Sequence, residues 1–199
     1  MDEQRHIVAI CGSMRDQSVT RTALQEALNA ASEAGASTTL VDLREYDLPA
    51  YGSVKEGRDA GDAPALRKAV DAADGIILGT PIYHGSYSSP LKAALDYCGR
   101  DEFRDKTVGL VATAGGRFPT KGLEHLRNVA RHINAWVLPT EVAIPNASDA
   151  ISDGEVHDPE VKERLHRLGR DIVLYSNIAR LPELLEAVDD AQIVSGKEL

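Results

Sequence analysis

Apolar runs and amphipathic stretches alternate along the chain. Five mostly apolar runs predict β-strands, at residues 6–11, 38–43, 75–80, 107–113 and 136–144. The run at 75–80 (GIILGT) is continuously apolar, which is typical of a strand covered on both faces. Between the strands, apolar residues recur at helical spacing, as at Leu24, Ala27, Leu28 and Ala31. Similar stripes predict helices that contain Leu66, Leu91, Leu123 and Leu165.

Capping signals set the expected ends of these helices. Gly35 is suited to the end of the first helix, and Ser89 followed by Pro90 is typical of a cap and first turn. Asp158 followed by Pro159 predicts the start of a long last helix, which Pro182 should break or kink. Residues 42–62 and 146–157 are predicted to be loops, the second of them a mobile surface loop.

The order of elements predicts the fold class. Strands that alternate with helices indicate crossover connections and a parallel sheet. There is no internal repeat and no shift in composition that would divide the chain. We therefore expect residues 1–199 to form one doubly wound α/β domain with a frayed tail at about 190–199.

Composition narrows the possible functions. The chain has 199 residues, 31 acidic and 22 basic, giving a net charge of −9. This charge disfavours a general nucleic-acid binder but not a small anionic ligand, which responds to local groups. No apolar run approaches the roughly 20 residues that a membrane helix needs, and residues 1–6 lack a signal-peptide pattern. Cys11 and Cys98 fit two buried thiols in a reducing cytoplasm better than a disulfide framework or a metal site.

Three loops that follow predicted strands carry candidate chemistry. In an open parallel sheet, ligands bind outside the carboxyl ends of the strands. The first loop, residues 12–20, holds hydroxyls at Ser13, Ser18 and Thr20, together with Arg15, and leads into a helix N-terminus. That combination favours a bound anion. Because the loop has neither a Gly-Lys-Ser/Thr motif nor GxGxxG, a monophosphate fits it better than a nucleoside triphosphate or a dinucleotide. Alternatively, Ser18 or Thr20 only caps the helix and Arg15 is a solvated charge.

The other two loops suggest a ring and a close backbone approach. In the second loop, residues 81–88, Tyr83 and Tyr87 could lie against a planar ring, and Gly85 would let the backbone approach it. Alternatively it is a turn with two surface tyrosines, and His84 alone is weak evidence of catalysis. The third loop, residues 113–118, has Gly115 and Gly116 beside Arg117, which could meet a second anion or be a surface charge at a plain turn.

Four segments carry a resemblance to a known family. GSMRDQSVTR at 12–21, DLREYDLPAY at 42–51, TPIYHGSYSSPLKAALDY at 80–97 and ATAGG at 112–116 resemble the NADPH-dependent FMN reductases of the flavodoxin-like superfamily. The second loop is more similar to the branch of the alkanesulfonate-system flavin reductases. Ile82, His84 and Gly85 depart from the Pro-Glu-Tyr-Asn-type loop of the quinone and chromate reductase branch. Arg15 departs from the phosphate loop of classical flavodoxins, which favours a reductase over a one-electron carrier.

The resemblance implies a flavodoxin-like, doubly wound five-stranded parallel sheet of order 2-1-3-4-5 with helices on both faces. It also implies that FMN is the cofactor and NADPH or NADH the donor of hydride to it, with no obligate catalytic side chain and no metal. The acceptor would be a small molecule: free FMN, a quinone, an azo compound or a metal oxyanion. The rival functions are a non-enzymatic flavodoxin-like electron carrier and a nucleotide-binding regulator. The family further implies a homodimer or homotetramer.

The resemblance assigns cofactor contacts residue by residue. The residues expected to hold the FMN phosphate are Ser13, Arg15, Gln17 (through its backbone), Ser18 and Thr20. Val19 beside them is also expected to contact the cofactor. Those expected along the isoalloxazine ring are Pro81, Ile82, Tyr83, His84, Gly85 and Ser86. Those expected on the far side of the ring are Thr113, Gly115 and Gly116. Arg15 or Arg117 is a further candidate for contact with the nicotinamide nucleotide.

Overall fold

The structure, a computed structural model, describes residues 4–176. Its main sheet contains β1 (His6–Cys11), β2 (Ser37–Asp42), β3 (Gly75–Pro81), β4 (Thr107–Thr113) and β5 (Trp136–Ile144). The strands pair in the order β2-β1-β3-β4-β5, and all four pairings are parallel. This confirms the predicted topology, and places the carboxyl ends of β1, β3 and β4 side by side.

Helices cover both faces of this sheet. The longer ones are α1 (Val19–Glu33), α2 (Ala63–Asp71), α3 (Ser89–Tyr97), α5 (Thr120–His132) and α7 (Pro159–Tyr175). Two helices have a single turn each, α4 (Arg100–Phe103) and α6 (Ala147–Ala150). A small hairpin of β6 (Ile151–Ser152) and β7 (Glu155–Val156) precedes α7. Of the helices among residues 4–176, none is both long and apolar enough to cross a membrane.

Two apolar clusters form the core, one on each face of the sheet. Alternate residues of β1 divide between them, Ile7 and Ala9 entering one cluster and Val8 and Ile10 the other. The first cluster lies under α1 and α7, and the second under α2, α3 and α5. The central strands β3 and β4 are buried along their whole length, as the continuous apolar run at 75–80 predicts.

Several local predictions differ from the structure. The prediction of a mobile loop at 146–157 is wrong, because this segment forms α6 and the β6–β7 hairpin. The cap of α3 is Ser88 rather than Ser89, since the Ser88 hydroxyl accepts from the Leu91 amide. The segment after β2 is irregular as expected, apart from two 3-10 turns at Leu43–Glu45 and Gly57–Asp59. Asp158 caps α7 as predicted. The expected kink at Pro182 and the frayed tail at 190–199 lie outside the described residues.

Candidate functional site

The first loop ends in a well-formed helix cap. Ser18 has extended backbone angles, and its hydroxyl accepts from the Arg21 amide at 3.1 Å. The first bond of the α1 backbone runs from the Thr22 amide to the Ser18 carbonyl, so the amides of Val19 and Thr20 have no partner within the helix. The first turn of α1 contains no acidic residue. These amides and the positive end of the helix dipole therefore favour an anion at this point.

Ser13 adds an underused hydroxyl to the same place. Its side chain is almost fully buried, with 2% of the residue exposed. Among the described residues, the contact that its oxygen makes is with the Arg15 amide at 3.5 Å, which is long for a hydrogen bond. A buried hydroxyl without a good partner is unfavourable, so Ser13 is suited to donating to a ligand oxygen.

An ion-pair network fixes the path of the first loop. Arg21 donates from Nε to Asp42 Oδ2 at 2.7 Å, and its terminal nitrogens donate to the carbonyls of Asp16 and Arg15. Arg44 bonds the same Asp42 carboxylate and also reaches Asp16 at 2.8 Å. Because these two arginines neutralise Asp42 and Asp16, the guanidinium of Arg15 is left with no carboxylate partner among residues 4–176.

Asp42 is charged at neutral pH in spite of its position. Burial, the largest influence, disfavours the carboxylate, but hydrogen bonds from Arg44 and Arg21 outweigh it and hold the pKa of Asp42 below its ordinary value. The carboxylate can therefore keep both arginines in place over the physiological pH range.

Buried hydroxyls join the loops to one another. Ser88 donates from Oγ to the Gly12 carbonyl at 2.7 Å, and its amide donates to Thr80 Oγ1 at 2.9 Å. The first bond ties the start of the first loop to the end of the second, and the other ties the end of the second loop to β3. The hydroxyls of Thr20 and Thr113 lie 2.6 Å apart and join the first loop to the third.

The second loop makes a tight turn at its tip. The amides and carbonyls of Tyr83 and Ser86 exchange hydrogen bonds of 2.9 and 3.1 Å. His84 and Gly85 between them have φ values of 50° and 82°, as in a type I′ turn. Before the turn, the Ile82 amide donates to the Thr113 carbonyl at 2.8 Å, so the second and third loops remain in register.

Two neighbouring cavities lie at the carboxyl edge of the sheet, and they share Ile82, Ala114 and Gly115 in their walls. The inner cavity, of about 150 Å³, is lined by Ser13, Arg15, Gln17, Val19, Thr20, Pro81, Ile82, Tyr83, Thr113, Ala114, Gly115, Ala147 and Ser148. The outer cavity, of about 500 Å³, is lined by Ile82, Gly85, Ala114, Gly115, Gly116, Arg117, Phe118 and Lys121. All three loops chosen from the sequence therefore meet at one depression.

Twelve of the fifteen candidate residues line one of these cavities, and three do not. Ser18 is occupied as the helix cap. His84 is exposed at the tip of the turn. The Ser86 hydroxyl lies 3.2 Å from His125 Nδ1. Tyr87, considered as a ring contact, instead packs against the core cluster under α2, α3 and α5.

Some residues that line the two cavities were not predicted from the sequence. Ala147 and Ser148 belong to α6, in the segment predicted to be a mobile loop. The Ala147 amide donates to the Ala114 carbonyl at 2.8 Å, so α6 is held against the third loop. Phe118 and Lys121 of the outer cavity were also missed. Their signal was present in the sequence, because they follow the glycine pair closely.

The two thiols do not contribute reactive groups. Both cysteines are buried and free. Burial raises the pKa of Cys98 to about 12, and burial also raises that of Cys11 although the Ser13 amide favours its thiolate. Thiolate is the reactive form, so neither side chain is suited to nucleophilic chemistry at neutral pH.

FMN, which the sequence resemblance implies, fits these surroundings. Its dianionic phosphate would meet the unpartnered amides of α1, the buried Ser13 hydroxyl and the free Arg15 guanidinium. Its planar ring system would continue between the second and third loops, where glycine at positions 115 and 116 leaves open space above the backbone. The donor types and the open space suit a phosphate joined to a flat heterocycle.

Comparison with known proteins agrees with this geometry. Residues 5–149 match the family model of NADPH-dependent FMN reductases. The FMN-dependent NADPH-azoreductase of Staphylococcus aureus is 39% identical over 115 residues, which cover 56% of this chain and 61% of the azoreductase. The alignment thus spans less than two thirds of that relative.

Solved structures show the same fold. An NADH:FMN oxidoreductase has a TM-score of 0.67 at 26% identity, over 86% of this chain and 89% of its own. The NAD(P)H:acceptor flavoenzyme FerB of Paracoccus denitrificans has a TM-score of 0.74 at 20% identity, over 88% and 98% of the two chains. The family match covers well over half of the sequence, and this chain belongs to the NADPH-dependent FMN reductase family.

Proposed function

We propose that this protein is an FMN-dependent oxidoreductase that takes hydride from NADPH or NADH and passes the electrons to a small acceptor. The observation that supports this most directly is the meeting of the three loops at two adjoining cavities. The inner cavity offers anion-binding groups, and the outer one opens to solvent beside it. A flavin held across both would expose part of its ring to a second substrate.

The donors that would bind the phosphate are already held in place before the phosphate binds. The amides of Val19 and Thr20 are fixed by the cap at Ser18, and the loop path is fixed by Arg21 and Arg44. Arg15 then supplies a positive charge, and Ser13 a hydroxyl, to a dianion. Donors that are already in place lose little conformational entropy when the phosphate binds.

The ring end is built from backbone and apolar surface. Ile82 and Tyr83 line the cavities with their side chains, while Gly115 and Gly116 line them with main chain alone. Backbone amides in these loops would donate to ring atoms and so tune the reduction potential. When bound, FMN supplies the hydride-accepting and electron-donating chemistry. Among the described residues, no carboxylate or thiol lines either cavity.

The acceptor that we favour is an azo compound, a quinone or free FMN. The azo compound is suggested by the Staphylococcus aureus relative, which is described as an azoreductase. A metal oxyanion is a further acceptor that the sequence resemblance allows. The homodimeric or homotetrameric state and the cytoplasmic location expected from the sequence stay predictions.

An anaerobic titration tests the proposal. Purified protein is titrated with FMN while the flavin absorption spectrum is followed, and NADPH or NADH is then added before each acceptor. We expect a perturbed flavin spectrum, bleaching by the donor and recovery with the acceptor over many turnovers. A protein that binds FMN but shows negligible steady-state oxidation of either donor would be an electron carrier instead. A protein that binds no flavin would contradict the proposal and favour a regulator.

A further inference from the structure

The tip of the second loop, residues 83–86, is joined to α5 by one side-chain hydrogen bond. The Ser86 hydroxyl lies 3.2 Å from Nδ1 of His125, a residue 39 positions later in the chain. Among the side-chain hydrogen bonds within residues 4–176, this is the one that connects the tip to another element. A hydroxyl can donate to an imidazole nitrogen or accept from it, so the contact does not depend on the charge of His125.

The helix approaches the loop closely because a glycine faces it. Gly122 lies one turn before His125 on α5. A methyl group at Gly122 would collide with Ile82 Cδ1 and lie 3.5 Å from the carbonyl carbon of Ser86. Ile82 precedes the tip and Ser86 ends it, so α5 lies against both sides of the turn. The bond to His125 is therefore made where helix and loop are already in contact.

The backbone of the tip needs this support. His84 and Gly85 have φ values of 50° and 82°, and positive φ is unfavourable for a residue with a side chain. The hydrogen bonds exchanged by Tyr83 and Ser86 close the turn. They do not fix where the closed turn sits relative to the cavities. The bond from Ser86 to His125 does, because it attaches the turn to a helix.

The tip carries a free backbone donor at the outer cavity. The amides of Ile82, Tyr83 and Ser86 all donate to carbonyls of the chain. Gly85 lines the outer cavity, and its amide has no acceptor among residues 4–176. A methyl group added at Gly85 would meet no atom within 4 Å, so the space beside this amide is open. The amide is therefore available to a ligand in the outer cavity.

We propose that His125 is a positioning residue which, through Ser86, holds the Gly85 amide where it donates to the ring of bound FMN and raises its reduction potential. The inference rests on the proposed function, because it takes the ring to lie between the second and third loops. Reduced FMN has more electron density on its ring than oxidised FMN, so a hydrogen-bond donor stabilises the reduced form more. A donor that is fixed in advance loses less conformational entropy than one on a loose turn. His125 lines neither cavity, so its effect is exerted through the loop.

The midpoint potential of the loaded protein tests this role without turnover. FMN-loaded protein is reduced anaerobically beside a reference dye, and the Kd of oxidised FMN is measured by fluorescence titration. For His125→Ala, we expect the Kd of oxidised FMN to change less than about threefold. The Kd of reduced FMN should rise about tenfold more, the order of magnitude expected for one hydrogen bond. A tenfold difference makes the two-electron potential about 30 mV more negative.

A double-mutant cycle shows whether the two side chains act as one contact. Ser86→Ala removes the same hydrogen bond from the loop side, so it should shift the potential as much as His125→Ala does. The double variant should shift it no further. Additive shifts would mean that the residues act independently, and would overturn the inference.

Two further variants separate positioning from a general change in α5. His125→Asn keeps a polar atom at the position of Nδ1 on a residue of similar helix propensity, and should restore the potential of the parent. His132→Ala is the matched control, since it removes another exposed histidine, in the last turn of the same helix and about 10 Å farther along its axis. It should leave both the potential and the Kd unchanged.

The contrary results are distinct from failure of the proposed function. An unchanged potential in His125→Ala overturns the inference, whether FMN binds as in the parent or both redox forms bind equally less tightly. An equal shift in His132→Ala does so too. If the parent protein binds no FMN, or if neither NADPH nor NADH reduces the bound flavin, the proposed function itself fails.

Discussion

The hydroxyl oxygens of Thr20 and Thr113 lie 2.6 Å apart, although the two residues are separated by 93 positions in the chain. Thr20 is in the first turn of α1, and Thr113 is the last residue of β4. Both residues are buried, with 1% and 2% exposed, and both line the inner cavity. This bond connects the phosphate end of the candidate site with the ring end.

Thr113→Val should therefore affect both stability and cofactor binding. Valine keeps the shape but leaves the buried Thr20 hydroxyl without its partner, which costs roughly 1–3 kcal/mol. We expect the free energy of unfolding to fall by that amount, and the Kd for FMN to rise several-fold because the two loops lose their connection. Urea unfolding and FMN fluorescence titration measure the two effects.

Thr107→Val is the matched control for this prediction. Thr107 begins the same strand, and its hydroxyl donates to the Tyr175 carbonyl at 2.7 Å, at the edge of the sheet away from the cavities. It should lower stability without changing FMN affinity. If both valine variants weaken FMN binding alike, general destabilisation explains the effect and the loop connection has no special role.

Arg15→Ala should weaken binding of FMN selectively. The guanidinium has no carboxylate partner among residues 4–176, so its removal leaves no orphaned charge behind. Loss of a charged hydrogen bond to phosphate predicts a 10- to 100-fold rise in the Kd for FMN. Riboflavin, which lacks the phosphate, should bind the parent and the variant equally. An equal loss for the two flavins would show that Arg15 contacts the ring or shapes the loop instead.

Asp42 predicts a specific dependence of stability on pH. Its pKa is lower in the folded protein than in the unfolded chain, because Arg44 and Arg21 favour the carboxylate in spite of burial. The stabilisation is therefore complete above the unfolded value of about 4 and is lost as the pH falls through the lower folded value. Asp42→Asn should reduce the free energy of unfolding by about 1–3 kcal/mol at pH 7, and the difference from the parent should shrink at about pH 3.

Asp16→Asn tests whether this effect requires burial. Asp16 also pairs with Arg44, at 2.8 Å, but its side chain is fully exposed. Its substitution should change the stability curve little at any pH, because exposed ion pairs are weak. Urea unfolding at pH 7, 5 and 3 separates the two cases. A constant difference between the parent and Asp42→Asn over this range would contradict the prediction.

The fold was predictable because its signals are local and periodic. The buried strands β1 and β4 coincide with uninterrupted apolar runs, so even their ends were predicted correctly. The segment 146–157 was misinterpreted because its polar residues resemble those of a loop. Asp153 and Gly154, with φ values of 51° and 78°, make the type I′ turn of the hairpin, and this dipeptide was a recognisable signal.

The walls of the site were only partly predictable. The loops could be found, since each follows a strand whose carboxyl end lies at the same edge of the sheet. Contacts between distant residues leave no pattern in one sequence, so the role of Asp42 in holding Arg21 and Arg44 could not be deduced. The contribution of Ser148 depends on α6, whose four residues are too short to show a helical period.

The reactivity of the two thiols measures how readily the apolar core opens to solvent. Because the pKa of Cys98 is raised to about 12, its thiolate fraction at pH 8 is on the order of 10⁻⁴. Cys11 is also fully buried. At pH 8, a colourless thiol reagent should label neither cysteine in the folded protein and both cysteines in urea. Mass spectrometry counts the labels on each chain. Rapid labelling of Cys98 in the native protein would show that the α3 side of the core opens readily.

Gly122 links α5 to the wall of both cavities. A methyl group added there would collide with the Cδ1 atom of Ile82, one of the three residues that both cavities share. That atom is the end of a flexible side chain, and alanine favours helix by up to about 1 kcal/mol, so Gly122→Ala should leave the unfolding free energy nearly unchanged. The displaced Ile82 should enter the cavities and weaken FMN binding several-fold.

Adding Ile82→Val, which removes Cδ1, should restore much of that affinity, whereas Ile82→Val alone should change it little. Fluorescence titrations of the four proteins form a double-mutant cycle, and additive effects in that cycle would mean that Gly122 and Ile82 act independently.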